Sequence, residues 1–287
     1  MNKSRLKFIT YYLLQFLKTI NITIVLVLII LESTVLNYRY INKKMTDNNY
    51  YQLLYENMEN QMDDILIPSG FDISIIEKTF TLEEITKTEQ KVIHDFYNNI
   101  NTPADSTQFK ERLKQNIDAD LEKKHLVAAN EKDITNLITE LSKIYENNIY
   151  YNNYLNSSRA EFNKAKHYVN IILTISILSL LSLILLLQIF HKRRDKMSIP
   201  LIANGLIFIT TYIYLKSNLS IEHLFLYSKG LSVLITEILN DLFIAFLTIA
   251  IVSIIIGFAN RLIYFKKVLK HKKKKKKEEY TYEEDSN

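Results

Sequence analysis

The sequence has no cysteine, four glycines and three prolines among its 287 residues, and each scarcity excludes something. Without cysteine there is no disulfide framework, so any folded part must be held together by packing alone. So little glycine leaves no phosphate-binding loop of the Walker or dinucleotide type, and no HExxH or GxSxG motif occurs. The adjacent pair His94-Asp95 is expected to be solvated helix surface. The sequence therefore predicts a protein that is not an enzyme and that uses no metal and no cofactor.

The same scarcity predicts the fold of the segment 37–167, which contains only Pro68, Gly70 and Pro103 as turn residues. A β-rich domain of that length would need many more. Apolar residues instead recur at helical spacing. The four predicted stripes are Tyr51, Leu54, Tyr55, Met58, Met62 and Ile65; Ile85, Val92, Ile93, Phe96 and Tyr97; Phe109, Leu113, Ile117 and Leu121; and Ile134, Leu137, Ile138, Leu141, Ile144 and Tyr145. Asp47, Thr81 and Asn130 are the predicted helix starts, and Thr81 forms a capping box with Glu84. The segment is predicted to be a helical bundle.

Four long apolar runs predict membrane spans, because a span needs about 20 mostly apolar residues. The predicted spans are 16–36, 168–190, 199–215 and 238–259. Lys18 lies near the edge of the first span and is expected to snorkel to an interface. The stretch that follows this span, LESTVLNYRY, lacks a small-x-small cleavage site, which favours a signal anchor over a cleaved signal peptide. The predicted fold class is an all-α integral membrane protein with four transmembrane helices and an extracytoplasmic helical bundle inserted between spans 1 and 2.

Charge predicts the orientation of the spans. The first 20 residues hold four basic residues and no acidic one, the turn QIFHKRRDKMSIP is basic, and ten basic residues follow from Arg261. The range Glu32–Lys166 has 22 acidic and 16 basic residues. The positive-inside rule therefore places the N-terminus 1–15, the turn 191–198 and the tail 260–287 in the cytoplasm. Residues 37–167 and a short apolar outer loop, 216–237, are placed outside the plasma membrane.

Composition also suggests the source and the lipid partner. The Ile-, Lys-, Asn- and Tyr-rich usage suggests an AT-rich genome, and we favour a Gram-positive bacterium over a protozoan. The basic residues are expected to contact anionic lipid of the inner leaflet, at about 1 kcal/mol each. These residues are Lys192, Arg193, Arg194, Lys272, Lys273, Lys274, Lys275, Lys276 and Lys277. The acidic end beyond them is expected to be disordered, and no nucleic-acid partner is predicted.

Small and polar residues in the spans predict helix packing, because they let helix backbones approach closely in lipid. They are Ser176, Ser179 and Ser182 in the second span, Asn204 and Gly205 in the third, and Ser253 and Gly257 in the fourth. They suit packing within the chain, a homo-oligomer or a protein partner, and the sequence does not separate these. Apart from Lys18 and Asp241, ionisable residues are absent from the apolar cores, which argues against an ion pathway.

Five tyrosines flank the first two spans: Tyr38, Tyr40, Tyr150, Tyr151 and Tyr154. They are a candidate contact patch for a glycan or peptide, although tyrosines at such positions more often pack or lie at headgroup level. No Gly or Pro occurs between Asn130 and Phe190. One helix could therefore run from the exterior through the second span, or two helices could meet near the Asn-rich ENNIYYNNYLN. The apolar outer loop is expected to form a helix from Ser220, lying in the interface or packing under the bundle.

The stretch NYYQLLYENMENQMDDILIPSGF, the helix that starts at Thr81 and the basic turn between spans 2 and 3 resemble uncharacterised four-span membrane proteins of Firmicutes. That resemblance implies a helical ectodomain after the first span and brings no activity. The layout is also similar to that of FtsX-type permeases of ABC transporters. Here the chain departs from the pattern, because the turn HKRRDK leaves little room for an ATPase-coupling helix.

Three functions follow as hypotheses. The first is a non-enzymatic cell-envelope protein whose outer helical domain binds or senses a partner, while its spans anchor it or join a membrane complex. The alternative is a transmembrane subunit of an ABC-type transport or export machine. The third is an immunity protein against an exported toxin or bacteriocin.

Overall fold

The computed structural model describes residues 3–125, 131–150, 154–190, 197–219 and 228–284, with side chains except at 3, 4, 154, 156 and 271–284. These ranges contain helices and no strand. The helices are α1 (Lys3–Ser33), α2 (Tyr38–Asp47), α3 (Tyr50–Leu66), α4 (Ser74–Thr79), α5 (Leu82–Tyr97), α6 (Thr107–Lys123), α7 (Glu131–Tyr150), α8 (Tyr154–Phe190), α9 (Ser198–Asn218) and α10 (Lys229–Glu284).

The chain divides into two compact units. The first, which we call the spanning unit, comprises Met1–Leu31, Val169–Ser220 and Asn240–Asn287. The second, which we call the helical lobe, comprises Glu32–Tyr168 and Ile221–Leu239.

Four helices are long and apolar enough to cross a membrane: Arg5–Ser33, Ser157–Phe190, Ser198–Asn218 and Lys229–Lys270. Large apolar side chains on all four are exposed, as a bilayer requires of helices that face lipid. These helices confirm the prediction of an all-α protein with four apolar helices of membrane-spanning length.

The first of these helices extends beyond the predicted span at its N-terminal end. The apolar helix runs from Arg5 to Ser33, and the amide of Asn37 then bonds the carbonyl of Thr34 in a turn. Lys18 lies midway along α1, and its side chain is completely buried, so the prediction that it snorkels to an interface is wrong. The burial arises because Lys18 shares one face of α1 with other buried residues, such as Gln15 and Ile22, and hydropathy along the chain does not register which residues share a face.

Helix α10 continues to Glu284, through most of the acidic end that the sequence predicted to be disordered. No glycine or proline follows Gly257, and lysine and glutamate are good helix formers. These propensities account for the longer helix.

The helical lobe is built around α3, which packs against α2, α5 and α7, while α6 packs against α4 and α7. Its core uses the predicted stripes, with Met58, Met62 and Leu113 fully buried among them. The predicted capping box is present: the Thr81 hydroxyl accepts from the Glu84 amide at 3.3 Å, and the Glu84 carboxylate accepts from the Thr81 amide at 3.1 Å.

One other helix boundary differs from its prediction, and three further predictions lie outside the described residues. Asp47 is the last residue of α2, and the residue preceding α3 is Asn49, which has a left-handed backbone with φ of 54°. The predicted start at Asn130 and the predicted helix from Ser220 lie outside the described residues. So does the short stretch 151–153, on which the question of one rod or two helices depends.

The first turns of α10 belong to the lobe. Gly230 lies so close to α3 that an added Cβ would be 3.3 Å from both Leu53 Cβ and Tyr50 Cδ2. Leu234 is buried in the lobe core, and Ile238 packs against it. The first turns of the fourth apolar helix therefore contribute to the lobe.

Candidate functional site

The C-terminal end of α5 is a Schellman cap, in which the chain turns back through a left-handed residue. Asn99 takes that conformation, with φ of 60°. The Ile100 amide bonds the Asp95 carbonyl at 2.8 Å, and the Asn99 amide bonds the Phe96 carbonyl at 3.3 Å. Asparagine suits this position because it adopts left-handed backbone more readily than other non-glycine residues.

The first turns of α8 bind this end of α5. One guanidinium nitrogen of Arg159, Nη1, donates to the Ile100 carbonyl at 2.7 Å and to Asn101 Oδ1 at 3.1 Å. Asn163, one turn further along α8, donates from Nδ2 to the Phe96 carbonyl at 3.4 Å. A helix end leaves carbonyls without partners in the helix, and a cation near it is favourable. Arg159 and Asn163 therefore supply part of the cap of α5.

Aromatic packing reinforces the contact. The Phe162 ring lies 4.8 Å from the Phe96 ring and 5.0 Å from the Tyr97 ring, measured between centroids. Such pairs contribute about 0.5–1.5 kcal/mol beyond area burial. We call the contact of Arg159, Phe162 and Asn163 with the end of α5 the α5–α8 junction.

The segment that follows α1 binds the same helix. The Tyr97 hydroxyl donates to the Val35 carbonyl at 2.7 Å, and the Tyr38 hydroxyl donates to the Gln90 carbonyl at 3.3 Å. Burial raises the pKa of Tyr97 to about 12. The second half of α5 is thus held both by the chain leaving the first apolar helix and by the chain entering the second.

His94 and Asp95 have a structural role in this region. The prediction that the pair is solvated surface is wrong for Asp95, which is buried, whereas the His94 side chain is half-exposed. Burial pushes the pKa of Asp95 up, but hydrogen bonds from Thr102 and His94 outweigh it and hold that pKa below its usual value. The Thr102 hydroxyl donates to Asp95 Oδ2 at 2.6 Å, and His94 Nδ1 lies 3.2 Å from Asp95 Oδ1. Asp95 thereby ties the segment after α5 back to the helix.

The predicted tyrosine patch is distributed through the lobe. Tyr38 lies against His94 of α5, with 5.1 Å between ring centroids, and Tyr40 is half-buried against the lobe core. Tyr150 is buried and donates to the Asp105 carbonyl at 3.3 Å. Tyr151 lies outside the described residues, and the backbone of Tyr154 begins α8. The three described side chains pack within the lobe.

In the spanning unit, Asn204 is completely buried and uses both ends of its amide. Its Nδ2 donates to the Pro200 carbonyl at 2.8 Å and to the Thr19 carbonyl at 3.3 Å. Its Oδ1 accepts the hydroxyl of Thr23. Asn204 of α9 is therefore a polar link to α1, and Lys18 and Gln15 are buried on the same α1 face as Thr19.

Helices α9 and α10 meet through their glycines. A Cβ on Gly205 would lie 2.3 Å from Ile254 Cγ1 and 2.8 Å from the Ala250 carbonyl oxygen. A Cβ on Gly257 would lie 2.7 Å from Ile202 Cγ1 and 3.2 Å from the Ser198 carbonyl oxygen. Both glycines therefore lie where no side chain fits, and Ser253, one turn before Gly257 on α10, is buried.

The serines of the second span divide between the two sides of α8. Ser176 is buried, and Ser179 accepts a hydrogen bond from Asn21 of α1 at 2.7 Å. Ser182 is exposed, and its hydroxyl bonds back to the Leu178 carbonyl at 3.0 Å. The structure therefore brings Ser176 and Ser179, but not Ser182, into helix contacts.

The predicted lipid-contacting residues fall where side chains are not described. Lys192, Arg193 and Arg194 lie outside the described residues, and 272–277 lie in the part of α10 that is described by its backbone. Their contact with headgroups stays a prediction.

The described residues offer little for chemistry. Among them, no group of three or more His, Asp or Glu side chains is placed to hold a metal ion. A cavity beside Phe96, Thr102, Tyr150 and Arg159 has room for about one water molecule, whereas ligand pockets enclose about 300–1,000 Å³. No family model matches this chain, and neither a curated protein nor a solved structure matches it.

Sequence reasoning missed the α5–α8 junction and the burial of Lys18. A signal for the first was present in NNINTP, an asparagine-rich stretch directly after an apolar helical stripe, which is typical of a capped helix end. A signal for the second was the spacing of Gln15, Lys18 and Thr19, which places all three on one side of a helix.

Proposed function

We propose that this chain is a non-enzymatic bacterial cell-envelope membrane protein whose helical lobe lies outside the cell and binds or senses a partner. Its four apolar helices anchor it in the plasma membrane or join a membrane complex. The observation that carries the proposal is the pair of attachments on α5. The Tyr97 hydroxyl donates to the carbonyl of Val35, just after the first apolar helix, and Arg159, in the first turns of the second apolar helix, donates to the Ile100 carbonyl. A lobe attached in this way transfers a strain imposed by a bound partner to both chain segments.

The orientation rests on charge. The basic residues cluster at 1–20, 191–196 and 261–277, whereas the lobe between the first two apolar helices is net acidic. The energetic bias of short Lys- and Arg-rich segments toward the cytoplasm supports an outer lobe and cytoplasmic termini. An anionic inner leaflet is then the surface that the lysine-rich tail contacts.

We propose binding rather than catalysis as the role of the lobe. Its buried polar groups bond other parts of the lobe, as Asn148 does when it accepts from Asn57 at 3.0 Å and donates to the Ile144 carbonyl at 2.9 Å. Such groups rigidify a core. A rigid helical lobe presents its outer surface to a partner, which is the role we propose.

The orientation is tested by thiol labelling. Because the chain lacks cysteine, labelling of the purified chain reports only the cysteine that is introduced. Lys114 is exposed on α6, and Lys196 lies in the basic turn. In intact cells, an impermeant maleimide is expected to label Lys114→Cys and to spare Lys196→Cys until the cells are opened. The reverse pattern would refute an outer lobe.

A partner is tested by purification of the full chain in mild detergent after photo-crosslinking at exposed lobe positions. We expect an envelope component, either a protein or a cell-wall polymer, cross-linked to the lobe and absent when the probe is on the basic turn. Recovery of no envelope component from any lobe position would contradict a binding role.

A second candidate, a transmembrane subunit of a transport machine, is favoured by Lys18. A completely buried lysine inside apolar helices is costly, and such residues often mark a substrate or ion pathway. Co-purification of an ATPase in a fixed ratio would support this candidate over a binding protein. Retention of full biological activity by Lys18→Met would count against it.

A further inference from the structure

The α5–α8 junction has a geometry that fixes the rotation of α8 about its own axis. Arg159 and Asn163 are four residues apart and so lie on the same side of the helix, with Phe162 beside them. Arg159 donates to the Ile100 carbonyl, in the turn that follows α5, and Phe162 packs on two rings of α5. Asn163 donates to the Phe96 carbonyl in the last turn of α5 at 3.4 Å and to the Arg159 carbonyl of its own helix at 2.9 Å. A helix turns about 100° per residue, so a rotation of one residue would take both donors away from α5.

We infer that Arg159 and Asn163 form a rotational latch for α8, and that release of the latch changes the rotation of the apolar part of the same helix. The inference goes beyond binding by the lobe and does not depend on any ligand. It rests on two hydrogen bonds that both helices share. Side chains of α8 donate to the Phe96 carbonyl in α5 and to the Ile100 carbonyl in the turn after it, so the structure of the α5 end and the orientation of α8 are coupled.

Coupling of this kind is reciprocal. Anything that unwinds the end of α5 removes the acceptors of Arg159 and Asn163 and frees α8 to turn. Anything that turns α8 removes the cap from α5. Because α8 is one described helix from Tyr154 to Phe190, a rotation at Asn163 reaches Leu187 about 36 Å away along the axis.

Two residues near the end of α8 report its rotation. Leu187 is completely buried and Ile189 is 65% exposed, and two residues apart on a helix they face opposite sides. Single variants Leu187→Cys and Ile189→Cys are compared by their rates of reaction with a membrane-permeant maleimide, in the full chain reconstituted in lipid. In the otherwise unchanged chain, the thiol at 189 is expected to react faster than the thiol at 187.

The latch is released by Arg159→Ala combined with Asn163→Ala. We expect the 189-to-187 ratio of rates to fall by about fivefold or more, the lower end of typical coupling factors. The matched control is Glu161→Ala with Lys164→Ala, which removes an exposed ion pair of 2.8 Å from the same turns of α8. The control is expected to leave the ratio unchanged.

Hydrogen exchange separates the latch from a merely local cap. If exchange at residues 94–101 rises in the double variant while the ratio at 187 and 189 stays constant, the two side chains cap α5 only and the inference is wrong. If neither measurement changes, it is also wrong. Should the double variant fail to fold, each single variant carries the test. Arg159→Lys, which keeps a donor and the charge, is then expected to retain more of the ratio than Arg159→Ala.

Discussion

Gly205→Ala probes the contact between α9 and α10 with the smallest possible change. The added methyl group would lie 2.3 Å from Ile254 Cγ1 and 2.8 Å from the Ala250 carbonyl oxygen. The first atom belongs to a branched side chain near its backbone, and the second is backbone itself. Neither moves without the helix, so α9 and α10 must separate.

The cost follows from two opposing effects. Forcing one extra carbon into a packed contact costs about 1–3 kcal/mol, and a clash with backbone falls at the upper end of that range. The higher helix propensity of alanine relative to glycine offsets about 1 kcal/mol of this cost. We therefore expect a net loss of about 2 kcal/mol, which is about a 30-fold change in the unfolding equilibrium.

Reversible unfolding of the full chain in lipid bilayers, followed by steric trapping, measures this loss directly. The matched control is Leu206→Ala on the same helix, where the side chain is 56% exposed and the change is expected to stay within about 0.5 kcal/mol. If Gly205→Ala were as stable as the unchanged chain, or more stable, propensity alone would govern the site. The close approach of α9 and α10 would then be refuted.

Three further changes test other parts of the structure. Asn204→Ala removes the polar link to α1 and is expected to destabilise the spanning unit by about 1 kcal/mol in the same unfolding assay, since hydrogen bonds between membrane helices average about 0.6 kcal/mol. No loss of stability would mean that other contacts hold α1 and α9 together. Thr81→Ala removes the N-terminal cap of α5 and is expected to lower the free energy of unfolding by about 1 kcal/mol, which appears as faster hydrogen exchange in the first turn of the helix. Unchanged exchange there would contradict the role of Thr81. Burial, followed by the charges of Asp64 and Glu77, raises the pKa of Asp63. Its carboxylate therefore opposes folding at neutral pH, and this effect fades as the pH falls through the raised pKa toward the ordinary value. Asp63→Asn is expected to raise the melting temperature of the lobe at pH 7 and to give no gain below the ordinary aspartate pKa, and an equal gain at both pH values would contradict the assignment.

Local patterns predicted the features that depend on residues close in sequence. The spacing of Thr81 and Glu84 predicted the capping box that begins α5. Gly70, one of the predicted turn residues, forms a Schellman turn after α3, with φ of 83° and the Phe71 amide bonding the Leu66 carbonyl at 3.1 Å. Apolar runs of about 20 residues predicted four long apolar helices for the same reason, because each run is a contiguous property of the chain.

Features that depend on distant partners were not predictable in this way. Capping rules consider residues next to a helix end, but Arg159 reaches Ile100 across 59 positions. Hydropathy placed Lys18 near an edge because it weighs residues along the chain and not around the helix. The inner face of α1 becomes a distinct environment only when α9 brings Asn204 against Thr19.

The amide of Asn204 also bears on biogenesis. Until α1 is beside it, a newly inserted α9 would hold that amide in hydrocarbon with only its own Pro200 carbonyl to bond. Because α1 is synthesised before α9, we expect α1 to stay near the insertion machinery until α9 arrives, and a chain translated without α1 to deliver α9 to the bilayer inefficiently.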